Sequence, residues 1–127
     1  MNTMKYIHTD NAPKAVGPYS QAIAVNGFIY CAGQIGLDPE TNELVEGLEK
    51  QTHQIFANIK AVVEEAGSDL DHVVKTTIFL KDIADYGKVN ELYGTYFLTH
   101  KPARSAVAVA AIPKNALIEI EVIAIQK

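Results

Sequence analysis

Leu117-Ile118-Glu119-Ile120-Glu121-Val122-Ile123-Ala124-Ile125 carries an alternating pattern. Successive side chains of a strand point to opposite faces. Ile118, Ile120, Val122 and Ala124 therefore share one face, suited to packing under helices. Leu117, Glu119, Glu121, Ile123 and Ile125 share the other. That second face is too apolar to be bathed in water, yet it holds the Glu119 and Glu121 carboxylates. An uncovered apolar sheet face marks a protein interface. The sheet is therefore expected to pack against copies of itself, with the carboxylates near the resulting clefts.

Working back from this strand, residues 105–110 read as another strand and residues 84–98 as a helix. That helix places Tyr86, Val89, Asn90, Tyr93, Tyr96 and Phe97 on one face. Residues 73–80 are rich in β-branched side chains and read as a strand. Leu48, Thr52, Ile55, Phe56, Ile59, Val62, Val63 and Ala66 recur at helical spacing. Gly67 follows as a left-handed cap. Residues 20–25 and 28–32 form a hairpin around Asn26-Gly27, a pair in which both positions tolerate positive φ. A short strand at residues 5–8 precedes it, and residues 36–47 are a loop rich in turn formers. The order ββ-α-β-α-ββ, with hairpins at both ends, predicts a single α+β domain over residues 1–127, a mixed sheet with two helices on one face.

A chain of 127 residues with 48% hydrophobic content is a globular domain with one core. The net charge is −4 and no run of Lys or Arg could track a phosphate backbone, which disfavours a nucleic-acid partner. Cys31 is the only cysteine, so no intrachain disulfide forms, consistent with a reducing compartment. Residues 1–8 hold no apolar leader, and the longest apolar stretch, residues 22–32, is broken by Asn26-Gly27. At about half a membrane span, that stretch leaves the cytoplasm as the expected location, with no membrane partner.

The phosphate-binding glycine motifs, CxxC and HExxH are all absent. His8, His53, His72 and His100 lack metal-ligand spacing, so no metal or other cofactor is expected. Cys31, inside an apolar strand, reads as inert core. Arg104 stands in Lys101-Pro102-Ala103-Arg104-Ser105, just before an apolar strand. Its planar fork is a two-point partner for a carboxylate; a structural salt bridge to Glu119 or Glu121 is the equal alternative. Glu119, on a partly buried face, can position a water for attack on an electrophilic carbon or serve in an interface salt bridge. Tyr19 follows the rigid Gly17-Pro18 and could present a phenol to a pocket. Gly33 lets backbone approach a ligand closely.

Several segments, in order, resemble the Rid family of reactive intermediate deaminases, also called YjgF or L-PSP. They are Ala15-Val16-Gly17-Pro18-Tyr19-Ser20-Gln21-Ala22, Gly33-Gln34-Ile35-Gly36, Val73-Val74-Lys75-Thr76-Thr77, Val89-Asn90-Glu91-Leu92-Tyr93, Pro102-Ala103-Arg104-Ser105 and residues 118–124. The resemblance implies a chorismate-mutase-like α+β fold and a homotrimer whose sheets form a central barrel, with clefts between subunits. For the RidA subgroup it implies metal-independent hydrolysis of 2-iminobutanoate and 2-iminopropanoate to 2-oxo acids and ammonia. By position Arg104 would bind the carboxylate and Glu119 would orient water. Tyr19, Ala32, Gly33 and Asn90 would line the pocket. Ala32 stands where the subgroup often has serine, removing one hydrogen bond, and Ala106 where some bacterial members have cysteine. The alternatives are a ribonuclease or translation inhibitor, an activity attributed to some relatives, and a ligand-binding regulatory trimer without turnover.

Overall fold

In a computed structural model, which describes residues 3–127, Asn26 and Gly27 both hold positive φ, 55° and 79°. This is the backbone of a type I′ turn, whose twist matches that of the flanking strands. Met1 and Asn2, at the head of the stretch read as carrying no leader, lie outside the described residues. The turn joins β2 (Ala22–Val25) to β3 (Phe28–Cys31), with Val25 opposite Phe28. The short β1 (Lys5–Ile7) adds antiparallel to β2.

Helix α1 (Leu48–Glu65) buries Thr52, Ile55, Phe56, Ile59, Val62 and Val63 against the sheet. It ends as its sequence requires. Gly67 holds φ 86°, its N–H donates to the Glu64 carbonyl, and the Ser68 N–H donates to Val63. These two bonds make a Schellman cap. Then follow β4 (Val73–Leu80), α2 (Tyr86–Gly94), β5 (Ala103–Ala108) and β6 (Ile118–Ile125). The six strands form one mixed sheet in the order β1-β2-β3-β6-β4-β5, parallel only between β4 and β5. Among the described residues no helix is long and apolar enough to cross a membrane.

The expected hairpin at the C-terminal end does not form. β6 enters between β3 and β4, antiparallel to both, and β5 lies at the edge. The cause is burial. Ile118, Ile120, Val122 and Ala124 are at most 2% exposed and need neighbours on both sides. β5, which alternates half-buried with exposed residues, can stand at an edge. β5 also begins at Ala103, so Arg104 lies within the strand and not before it.

The second helix is shorter than the expected 84–98. A 3-10 turn, Ile83–Asp85, leads into it, and it stops at Gly94. Glycine is a poor helix former, and the Thr95 hydroxyl closes the end on the Leu92 carbonyl. Phe97 folds back beyond the helix, its ring 4.9 Å from that of Tyr93 and 5.9 Å from that of Phe56. The aromatic spacing that suggests one long helix is thus met by a helix followed by a turn.

The opposite face of the sheet carries no helix. Phe28 and Tyr30 are 41% and 47% exposed there, beside the half-buried Ile123 and Ile125.

Gly67→Ala is expected to destabilise the fold by about 1–2 kcal/mol, because a side chain in the left-handed region carries that cost. Urea denaturation monitored by circular dichroism checks it; an unchanged midpoint would remove Gly67 as a required cap.

Candidate functional site

The Gly17-Pro18-Tyr19 segment makes a tight turn in which the Tyr19 N–H donates to the Gly17 carbonyl at 2.8 Å. The Tyr19 ring folds back over Gly17, where any β-carbon would meet it at 3.3 Å, and the side chain stands 54% exposed. The buried Gln21 anchors the approach to this turn. Its Oε1 accepts from the Thr9 N–H, and its Nε2 donates to the Thr9 and Pro13 carbonyls. Past β3, the Ala32 N–H donates to the Gln21 carbonyl, and Gln34 exchanges backbone bonds with Ile120 at 2.9 and 3.0 Å. That pairing lays Gly33 against Glu119. A methyl group built on Gly33 would lie 3.0 Å from the Glu119 carboxyl carbon and closer still to its Oε2. Only glycine leaves the carboxylate its place.

Tyr19, Ala32, Gly33 and Glu119 thus line one cleft of about 180 Å³, with Lys14 and Lys114 at its walls. Lys114 and Asn115 both hold left-handed backbone, φ 57° and 59°. Burial holds the Glu119 carboxyl above its ordinary pKa, and the like charge of Glu121 adds to the effect. No cation pairs with Glu119 among the described residues.

Arg104 and Asn90 are elsewhere. Arg104 pairs with Thr76, whose side chain is fully buried beneath α2, so Arg104 emerges on the helix-bearing side of the edge strand. Glu119 pairs with Phe79 and lies on the uncovered side. The salt bridge between Arg104 and Glu119 or Glu121, open from sequence, is not formed within the chain. The guanidinium is instead held by aromatic groups. Its Cζ sits 4.8 Å from the centre of the Tyr93 ring, whose hydroxyl is tied to Thr76 Oγ1 at 2.8 Å. Its Nη2 donates to the Tyr86 hydroxyl oxygen at 2.9 Å. Asn90 lies one helical turn beyond Tyr86. Hydrogen bonding from Asn90, then the charge and hydrogen bond of Arg104, hold the Tyr86 phenol below its ordinary pKa.

Tyr86 shares the Asn90 face of the second helix, and its polar role is not evident from that pattern alone. Its i,i+4 spacing to Asn90 was the available signal. The candidate residues fall into two half-sites, Tyr19, Ala32, Gly33 and Glu119 on one side of the sheet and Arg104 with Asn90 on the other. Cys31, beside the first, is an inert thiol, its pKa pushed up to about 12 by burial. Among the described residues no three His, Cys, Asp or Glu side chains gather as metal ligands.

The family model for endoribonuclease L-PSP proteins matches residues 9–126. The chain belongs to the Rid (L-PSP) family. A RutC family protein of Pyrococcus abyssi is 56% identical over 119 residues, 93% of this chain and 94% of that one. A mouse protein named 2-iminobutanoate/2-iminopropanoate deaminase is 48% identical over 123 residues, 96% of this chain and 91% of its own. A solved Rid-family structure from Yersinia pestis superposes with a TM-score of 0.95 at 53% identity, covering 97% of this chain and 99% of that one. The six-stranded sheet with two helices is therefore the Rid fold, and the order β3-β6-β4-β5 belongs to it.

In this Rid-family chain, Gly33→Ala is expected to push the Glu119 carboxylate out of the cleft. Whatever reaction the cleft carries should slow by at least tenfold, because a displacement of about 1 Å at a reacting group is that costly. Steady-state kinetics alongside a thermal melt checks it; a folded variant with unchanged kcat would show that Glu119 has no need of that position.

Proposed function

We propose that the protein hydrolyses 2-imino acids, such as 2-iminobutanoate and 2-iminopropanoate, to the 2-oxo acids and ammonia. The observation that carries this reading is the pairing of complementary half-sites. One offers a guanidinium with no carboxylate partner among the described residues, held by Tyr86 and Tyr93. The other offers a half-buried carboxylate with a raised pKa beside a glycine-lined cleft. The mouse relative's name, at 48% identity over nearly the whole chain, supports the choice of substrate.

The chemistry follows from the groups. Arg104 takes the substrate carboxylate with two parallel N–H bonds. A water held by Glu119 attacks C2 of the imine, and Glu119 accepts its proton as the C–O bond forms. That proton passes to nitrogen, giving a carbinolamine; Glu119 then takes the hydroxyl proton and delivers it to the amine, so that the C–N bond breaks as the C=O bond forms and ammonia leaves. Water and imine account for every atom of the products, so orientation and one proton carrier suffice.

Arg104 and Glu119 lie on opposite faces of one sheet, so a complete site draws them from different copies of the chain. The uncovered face, with Tyr30, Phe28, Ile123 and Ile125, is apolar enough to be that contact. A homotrimer with clefts between subunits, as the resemblance implies, satisfies both demands. The ribonuclease reading is disfavoured by the net charge of −4.

Arg104→Ala is expected to lower kcat/KM on freshly generated 2-iminobutanoate by about a hundredfold or more, and Arg104→Lys to remain badly impaired. Glu119 acts ionised, so wild-type activity should rise with pH as that carboxyl loses its proton. Because burial raises its pKa, this acid limb should lie above the range of an exposed glutamate. Glu119→Gln should lose both the rate and the limb. Refolding Arg104→Ala and Glu119→Gln chains together should restore activity at roughly a quarter of the sites by random mixing. No activity in the mixture would place both residues in the same copy's site; no ammonia from the wild type would end the deaminase reading.

A further inference from the structure

Tyr86 has a hydrogen-bonding position that the reaction above does not use. Its phenolic oxygen can accept two hydrogen bonds and donate one. Arg104 Nη2 donates to it at 2.9 Å, and Asn90 lies one helical turn along the same face of α2. The bond from Arg104 acts on the acceptor side. No acceptor among the described residues takes the Tyr86 O–H, and the side chain is 39% exposed at the sheet edge. The donor therefore faces solvent directly beside the guanidinium. Arg104, with five N–H groups, gives one to Tyr86 and keeps an open fork for an incoming anion.

We propose that the Tyr86 hydroxyl is a third donor to the carboxylate held on Arg104, making a three-point clamp for 2-imino and 2-oxo acids. This rests on the assignment of Arg104 as the carboxylate partner. The arrangement favours it in two ways. Donation into the phenolic oxygen by Arg104 polarises the O–H and makes it a better donor. An O–H bond to a carboxylate is charge-assisted, hence shorter and stronger than a neutral one. The phenol is also fixed before the ligand arrives, since it rests on Arg104, and Arg104 rests on the buried pair Tyr93–Thr76. Little ordering remains to be done on binding.

The test is Tyr86→Phe, which removes one oxygen and keeps the ring that lies 5.6 Å from the Arg104 Cζ. The probe is 2-oxobutanoate, a stable product whose binding calorimetry reads without turnover. Tyr86→Phe should weaken its Kd about tenfold and raise KM for 2-iminobutanoate by the same factor. kcat should stay within about twofold, the pattern of a contact made equally in ground and transition states. Direct donation also predicts a change in tyrosine near-ultraviolet absorption when 2-oxobutanoate binds the wild type, a component missing in Tyr86→Phe. A weakened variant without that spectral difference would overturn direct contact in favour of simple bracing of Arg104. A variant that binds like the wild type, while Arg104→Ala does not bind, would overturn the third donor and leave the Arg104 assignment standing. A wild type that neither binds 2-oxobutanoate nor releases ammonia from the imine would overturn both.

Discussion

Because side chains of a strand alternate, burying Ile118, Ile120, Val122 and Ala124 of β6 beneath the helices sends Glu119 and Glu121 to the far side of the sheet. The same rule, carried across β4 by the register Phe79–Glu119 and Thr76–Arg104, puts the guanidinium on the near side. A slip of one residue at either ladder would exchange these faces and expose the core. The placement of the chemistry is thus locked to hydrophobic burial, and the two cannot be altered independently.

That lock has an energetic side. Glu119 is held half out of water without a cation, which raises its pKa. An unfolded chain would give up this proton at lower pH than the folded one does. As pH rises past the ordinary value, the fold must carry a charge that the unfolded chain carries more easily, so this residue subtracts stability on the alkaline side of its transition and not on the acid side. Tyr86 and Arg104 show the opposite economy, since each relieves a need of the other and neither is driven deep into the core. A carboxylate gains basicity from desolvation, whereas the guanidinium is steadied by its neighbours.

Local signals were legible where the physics is local. Asn26-Gly27 specifies its turn by positive φ at both positions, Gly67 specifies its cap, and the alternation of β6 specifies which residues are buried. The misreadings were non-local. Whether β5 or β6 takes the centre of the sheet depends on competition for burial among strands distant in sequence, and no window of residues reports that competition. The face of Arg104 inherits the same blindness, since it follows from parallel pairing with β4, and so the choice between a carboxylate clamp and an internal salt bridge could not be made from the chain alone. Gly33 was read as a place for close approach; that the approaching group is this chain's own Glu119 needed the bridge between Gln34 and Ile120.

Cys31 adjoins Ala32 and Gly33 of the cleft, and its thiol is pushed up to about 12. At neutral pH only ~1 in 10⁵ such groups would be thiolate, the form that attacks electrophiles. An imine carbon is an electrophile to which a thiolate could add. Cys31 packs against the core and does not line the cleft, and in its protonated form it offers no competing nucleophile to a compound held there.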